Sequence, residues 1–248
     1  MNIDITSIGE LVSVLHDRIG NENRILWYRG HRDASWALEP LVKRGYSEDE
    51  RILTHRFRSR AGIRHGLIPA YGDLASWLAL MQHYGLPTRL LDWTRSPMVA
   101  LFFALENAWR FTNHVDACIW ILEPHALNSN QGLEPVTAAL NAQMYSDFIA
   151  PAYYHKSKEP GTIAAAMVSE TDQRMFVQQG FFTIHSADAP LSEMQLPNGV
   201  LAKVTIPAQH VRALSFDVEL CGFRRGDLFP DLQSLADELR VTYYNRGA

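Results

Sequence analysis

Residues 83–97, HYGLPTRLLDWTRSP, place charged, aromatic and hydroxyl side chains immediately before the apolar run MVALFFAL at 98–105. The members of this segment that could contact a ligand are His83, Tyr84, Arg89, Asp92, Trp93, Thr94 and Ser96. The spacing predicts a short extended segment, then a buried helix capped by Ser96 with Pro97 at its first position. Free N–H groups at such a helix start attract anions. The segment therefore predicts an anion-binding cleft edge; in the alternative interpretation, Asp92 and Thr94 only cap the helix.

A second group of functional residues lies in LWYRGHRD, at 26–33. The aromatic-rich run at 24–30 predicts a strand that ends with Arg29 and Gly30. A guanidinium at a strand end suits phosphate or carboxylate oxygens, and a glycine beside it lets a ligand approach the backbone. The alternative is that Arg29 pairs with an internal acid such as Asp92.

A third group consists of amide side chains in RMFVQQGFFTIH, at 174–185. Gln178 and Gln179 precede Gly180 and a predicted strand, where an amide could bind a ribose or an amide ligand. The alternative is that both amides bond to the local backbone. The sequence has no GxSxG, P-loop, GxGxxG, HExxH or paired CxxC motif, so we expect no metal site.

The elements that must position these groups are helices and strands without a regular β-α-β alternation. Helices are predicted from Ser7, from a capping box at Ser47 and Glu50, from Asp73, from 97 to about 110, near 162–170, and from 230 or 231. Further strands are predicted at 116–124, 180–185 and 200–207. This mixture predicts a single-domain α+β fold, with a mixed or antiparallel sheet surrounded by several helices.

Composition limits the classes of partner. The formal net charge is −4, two cysteines are too few for a disulfide framework, and no apolar run approaches the length of a membrane span. We therefore expect a cytoplasmic protein that does not enter a membrane. A local exception to the acidic balance is the segment 51–64, which contains Arg51, Arg56, Arg58, Arg60 and Arg64. This segment could bind nucleic-acid phosphates, or it could be a solvated helix face whose positive charge is balanced by Glu48, Asp49 and Glu50.

The sequence resembles the FRG domain family. The matching pieces are WYRG at 27–30, WALEP at 36–40, the block at 81–104, RMFVQQGFF at 174–182 and LFPDL at 228–232. They span about residues 24 to 240, which is nearly the whole chain. The resemblance divides the chain into an N-terminal helix at 1–22 and an FRG-like domain at 23–248.

The sequence is also similar, more weakly, to the ADP-ribosyltransferases, whose fold and NAD substrate this resemblance implies. Arg29 resembles their first-strand arginine and would hold the NAD phosphates or ribose. Thr94 or Ser96 would brace the site, Tyr84 or Trp93 would stack on nicotinamide, and Gln179 would contact the ribose. These enzymes carry a Glu where this chain has only Gln178 and Gln179. A distant acid such as Glu106, Glu170 or Asp172 would have to replace it.

The resemblance predicts an NAD-dependent ADP-ribosyltransferase-like enzyme that modifies a protein, RNA or DNA acceptor. Such an enzyme would act as a toxin or anti-phage effector, and a toxin implies a neutralising antitoxin as a partner. Two alternatives stay open: a nucleotide- or protein-binding module without chemistry, and an enzyme that acts on nucleic acid.

Overall fold

Seven strands form one mixed sheet in the part of the chain that the computed structural model describes, residues 3–20, 24–45, 49–64, 66, 68–108, 115–167, 179–229 and 231–244. The strands are β1 (Ile3–Asp4), β2 (Trp27–His31), β3 (Leu90–Thr94), β4 (Ala117–Leu122), β5 (Ile163–Met167), β6 (Gly180–His185) and β7 (Leu201–Ile206). Their order across the sheet is β1-β7-β4-β2-β3-β6-β5. β1 runs parallel to β7, and the other neighbouring pairs are antiparallel. The predicted groups therefore lie on or next to three neighbouring strands: Arg29 on β2, Asp92 to Thr94 on β3, and Gln179 directly before β6.

Nine α-helices lie within the same described residues. They are α1 (Ile8–Ile19), α2 (Glu50–Ala61), α3 (Leu74–His83), α4 (Pro97–Leu105), α5 (Pro124–Asn130), α6 (Ser146–Ile149), α7 (Ala208–Leu220), α8 (Arg225–Leu228) and α9 (Leu232–Tyr244). Side-chain caps begin four of them, as short polar residues do when they satisfy a free N–H. Ser7, Asp49, Asp73 and Ser96 accept hydrogen bonds at the starts of α1, α2, α3 and α4.

The sheet separates two apolar regions. On one face, buried residues of α1, α4 and α7 pack on β4, and those of α3 and α6 pack on β5 and β6. On the other face, Trp27, Leu91, Trp93 and Trp120 form a cluster with the segments that connect the strands. The α1 residues Leu11 and Leu15 are buried in the first of these regions, so this N-terminal helix shares the core of the sheet.

Gly30 makes room for α4. A Cβ atom at this position would lie 2.0 Å from the Ala100 carbonyl oxygen and 2.5 Å from the Ala104 nitrogen. The absent side chain thus lets the helix backbone rest on the middle of β2. This is a different use of the glycine from the predicted approach of a ligand, although Gly30 also lines the cavity described below.

The predicted α+β fold and mixed sheet are confirmed, and three local predictions are wrong. Residues 163–167 of the predicted helix at 162–170 form strand β5, and residues 168–170 lie outside the described residues. Helix α2 is capped by Asp49, and Ser47 lies outside the described residues. Helix α4 ends at Leu105, several residues before the predicted end near 110. Helix α7 was not predicted, although Val211, Leu214 and Val218 are buried at helical spacing.

Candidate functional site

The sheet opens between β2 and β3. Among the described residues, the ladder between these strands has one pair, Tyr28 opposite Thr94. Beyond this pair the strands diverge, and the Arg29 side chain spans the gap: its Nη1 donates to the Asp92 carbonyl oxygen at 2.7 Å. A backbone carbonyl that would normally face a neighbouring strand is thus satisfied by a side chain. The opening contains a cavity of about 290 Å³, close to the lower end of small-molecule sites.

The cavity is bounded by strands β2 and β3 and by helices α3 and α4, which precede and follow β3 along the chain. Arg29, His31 and Asp92 line it from the strands, Gln82 and His83 from α3, and Phe103 and Glu106 from α4 and its end. Arg32, Trp36 and Arg44 line it from the segment that follows β2. Gly180 and Phe182 extend the wall onto β6. All three strands that carry the predicted groups therefore contribute to one cavity.

Arg29 is held rigidly in this wall. Besides its bond to Asp92, its Nε donates to His31 Nε2 at 3.1 Å, and its Nη1 lies 3.8 Å from the Asp92 carboxylate. Burial lowers the pKa of Arg29 to about 10, the Arg44 charge adds to this effect, and the Asp92 carboxylate opposes it. The side chain therefore remains a cation at neutral pH, and 20% of it is exposed.

His31 is a neutral member of the site. Burial, with smaller contributions from Arg29 and Arg44, lowers the pKa of His31 to about 3. Because Nε2 accepts the bond from Arg29, the proton of the neutral ring lies on Nδ1. The ring also lies beside Trp36, with centroids 6.0 Å apart. His31 thus orients the guanidinium and forms an uncharged edge of the cavity.

Charges of both signs face the cavity. The cations are Arg29, Arg32 and Arg44, and the carboxylates are Asp92 and Glu106. Arg32 lies over the Trp36 ring at 5.8 Å, and Arg44 is fixed by two bonds to the Glu39 carbonyl oxygen at 3.1 and 2.8 Å. Three guanidinium groups around a small cavity favour a ligand with phosphate or carboxylate groups.

The two carboxylates have different surroundings. Asp92 is 57% exposed and accepts a bond from Gln82 Nε2 at 2.7 Å; Gln82 is oriented in turn by the Thr88 hydroxyl. Glu106, at the end of α4, is 19% exposed and forms an ion pair with Arg225. Asp92 is therefore the carboxylate that is more accessible to a ligand.

A second, shallower depression adjoins the cavity and shares Arg29, Arg44, Gln82, His83 and Asp92 with it. Its volume is about 640 Å³, and its other wall includes Tyr84, Phe229, Asp231 and Ser234. The cavity and the depression together form one elongated cleft. A ligand with two separated polar parts could occupy it.

Comparison with known protein families identifies the part of the chain that builds most of this cleft. The family model of the FRG domain matches residues 24–113. An FRG domain therefore occupies this segment. No curated protein and no solved structure matches the chain.

The FRG domain contributes β2, α2, α3, β3 and α4. It supplies Arg29, Asp92 and Glu106, whereas Gly180 and Phe182 of the cavity wall, and Phe229 of the depression, lie beyond the match. The cleft is thus formed jointly by the FRG domain and the C-terminal half of the chain.

Several residues predicted from the FRG segment line the cleft. Arg29, Gly30, His83, Asp92, Trp93 and Thr94 line the cavity, and Tyr84 lines the depression. Thr94 also has a structural role, because its hydroxyl accepts from Ser96 N at 3.1 Å. The Trp93 side chain is buried on the face of the sheet opposite to Asp92 and Thr94, and its Nε1 donates to the Thr183 hydroxyl at 3.0 Å. Of the two predicted stacking rings, Tyr84 is therefore the exposed one.

The remaining predicted residues do not line the cavity. Arg89 is 7% exposed and pairs with the equally buried Glu50 at 2.8 Å, so it stabilises the junction of α2 with β3 instead. The Ser96 hydroxyl caps α4 by accepting from Val99 N at 3.3 Å. Gln179 has an exposed side chain and a left-handed φ of 48°, and its carbonyl accepts from Arg95 N. Gln178, Glu170 and Asp172 lie outside the described residues.

Sequence reasoning missed His31, Arg32, Arg44 and Gln82. The first two lie two and three positions after Arg29, so extending the predicted strand at 24–30 by one residue would have included His31. Gln82 precedes the segment that was singled out by one position. No sequence signal pointed to Arg44. In the described residues, no cluster of three or more His, Cys, Asp or Glu side chains could bind a metal, and no helix is long and apolar enough to cross a membrane.

Proposed function

We propose that this protein binds NAD in the cleft between β2 and β3 and transfers the ADP-ribosyl group to a macromolecular acceptor. One observation carries the proposal: the strands of Arg29, Thr94 and Gly180 are neighbours, and all three residues line one cavity. The resemblance to ADP-ribosyltransferases rests on these same strands. The cavity would have to accommodate phosphates, a ribose and a cationic ring.

The charges of the cleft suit this substrate. Arg29, Arg32 and Arg44 offer donors for the two phosphates of NAD. Tyr84, exposed in the depression, offers an aromatic face for a base or for the cationic nicotinamide ring. Asp92 and Glu106 supply the negative charge that Gln179 lacks.

The transfer needs stabilisation of positive charge at the ribose. The bond between C1′ and the nicotinamide nitrogen breaks, and its electron pair leaves with nicotinamide. A nucleophile of the acceptor then bonds to C1′ and releases a proton. The ribose passes through an oxocarbenium-like state, which a fixed carboxylate stabilises. Asp92, held by Gln82 and exposed to the cleft, is the residue to which we assign this role.

The experiment measures free nicotinamide after incubation of the protein with NAD, with and without protein, RNA and DNA acceptors. Asp92→Asn keeps the shape of the side chain and removes its charge, so turnover should fall about 100-fold. Arg29→Lys should raise the NAD concentration needed for half-maximal turnover, because it loses the guanidinium fork. Asp188→Asn, a fully exposed acid-to-amide change outside the cavity, is the matched control.

The outcomes separate chemistry from binding. Nicotinamide release that Asp92→Asn reduces and Asp188→Asn leaves unchanged would support the transferase. Absence of NAD binding in calorimetry, together with absence of nicotinamide release, would exclude it. A second candidate function, nucleotide binding without chemistry, is favoured by the position of Gln179 outside the cavity wall. NAD binding without product would support that function.

We extend the proposal to a toxin or anti-phage effector with a neutralising antitoxin as its partner, because consumption of NAD would arrest growth. Expression of the wild-type protein should then stop growth, whereas Asp92→Asn at equal abundance should permit it. Equal growth with both proteins would contradict the toxin role.

A further inference from the structure

An exposed tryptophan lines the cavity. Trp36 follows β2 in the chain and is 41% exposed. In the described part of the chain, four other phenyl, phenol or indole rings line the same cavity. Tyr28, Trp93 and Phe182 are at most 5% exposed, and Phe103 is partly buried, with two further phenylalanine rings packed edge-on against it. The indole of Trp36 is therefore the flat aromatic surface that a ligand in the cavity can reach most easily.

Direct contacts join Trp36 to the cations of the cavity. Its ring centroid lies 6.0 Å from that of His31, and His31 Nε2 accepts the bond from Arg29 Nε at 3.1 Å. On the Trp36 ring itself, the Arg32 guanidinium lies 5.8 Å from the centroid. A flat aromatic surface and a fixed cation are thus separated by one imidazole ring. A nucleotide has the same order of parts, because its ribose separates a flat base from the phosphates.

We propose that Trp36 binds the base of a nucleotide in the cleft. The base stacks on the indole ring, and Arg29 and Arg44 bind the phosphates that are attached to the same nucleoside. Stacking on an aromatic side chain requires only the flat face of a base, so it needs no further hydrogen-bond partners. Applied to NAD, this places adenine at Trp36; that step rests on the proposed function, whereas stacking of a nucleotide base on Trp36 does not.

Charge decides which end of NAD lies at Trp36. Arg32 lies over this ring, and Arg29 lies beyond the neighbouring imidazole. The nicotinamide ring is a cation and would be repelled by both groups, whereas adenine is neutral and its flat face can also stack on a guanidinium. Trp36 lines the cavity, Tyr84 lines the depression, and Asp92 lines both. The nicotinamide end therefore extends past Asp92 toward Tyr84.

Calorimetry with ADP and with inorganic pyrophosphate separates the base from the phosphates. ADP should bind more tightly, and Trp36→Ala should weaken ADP binding about tenfold while changing pyrophosphate binding less than about twofold. Trp36→Phe keeps a ring and should stay within about threefold of the wild type. Tyr71→Ala is the matched control, because it also removes an exposed ring that lies against a guanidinium, that of Arg58, at a position outside the cleft. Melting curves check that each variant is folded.

Intrinsic fluorescence reports the stacking itself. Among the described tryptophans, Trp36 is the exposed one, so a base on its ring should quench the emission of the protein. ADP should therefore quench the fluorescence and pyrophosphate should not. Trp36→Phe should remove this quenching although it retains most of the ADP affinity.

The outcomes separate this role from the transfer reaction. Unchanged ADP affinity in a folded Trp36→Ala protein, or no ADP binding at all, would overturn the base-binding role. Equal dependence of nicotinamide mononucleotide and ADP on Trp36 would overturn its assignment to adenine. ADP binding that depends on Trp36, without nicotinamide release from NAD, would support the base-binding role and refute the transferase. Nicotinamide release that Trp36→Ala does not impair would refute the base-binding role alone.

Discussion

Substitution of Gly30 by alanine tests the contact that joins β2 to α4. The added Cβ would lie 2.0 Å from the Ala100 carbonyl oxygen and 2.5 Å from the Ala104 nitrogen. Both are backbone atoms of a buried helix, so no side-chain rotation can relieve the overlap. The strand and the helix must separate by about 1 Å or more, which loosens well-packed contacts around both.

The expected cost follows from this overlap. Overpacking in a core typically costs about 1–3 kcal/mol, and a clash with two backbone atoms belongs at the upper end, about 3 kcal/mol. For a chain of this size, that corresponds to a fall in Tm of roughly 6–12 °C. Thermal unfolding followed by circular dichroism or calorimetry measures it.

Gly9→Ala is the matched control. A Cβ at Gly9 in α1 would meet the Ser7 hydroxyl at 3.9 Å, an ordinary contact, so we expect no loss and a gain of up to about 1 kcal/mol. A Gly30→Ala variant that melts within about 2 °C of the wild type would refute the close approach of α4. For a chain of this size, a shift of about 2 °C corresponds to a change of only roughly 0.5 kcal/mol in the free energy of unfolding.

Two further predictions concern buried polar groups. Arg89→Met leaves the Glu50 carboxylate buried without its guanidinium, and should lower the free energy of unfolding in urea by about 3–5 kcal/mol; a loss below 1 kcal/mol would contradict the buried pair. Burial lowers the pKa of both His31 and His185 to about 3, so the unfolded chain binds more protons than the folded one between about pH 6.5 and pH 3. Stability should therefore fall on acidification through that range, by up to about 1.4 kcal/mol per pH unit for each ring, and His185→Asn should reduce this slope in melting curves recorded between pH 7 and 5.

The sequence predicted those parts of the fold that depend on neighbours along the chain. Ser96 and Pro97 define the start of α4, and Asp73 defines the start of α3, because capping is a local interaction. Strand β5 was predicted as a helix since its alanines favour one. In the folded protein, its pairing with β6 and the bonds between the Asn128 amide and the Ala165 backbone outweigh that preference.

The candidate site could be predicted only in part for the same reason. Alternation along β3 separates Asp92 from Arg89, but it does not say which side meets the cavity. Glu50 lies 39 residues before Arg89, and its ion pair depends on the packing of α2. Arg44 enters the wall through the path of a segment after β2, which no periodic pattern describes.

The single pairing of Tyr28 with Thr94 has a mechanical consequence. The two halves of the sheet, β1-β7-β4-β2 and β3-β6-β5, are not joined by a continuous ladder of hydrogen bonds. Their relative tilt can change without breaking the pairing inside either half, and α4, which packs on both β2 and β3, limits that tilt. The width available to a ligand is thus controlled by helix packing as much as by the side chains that touch it.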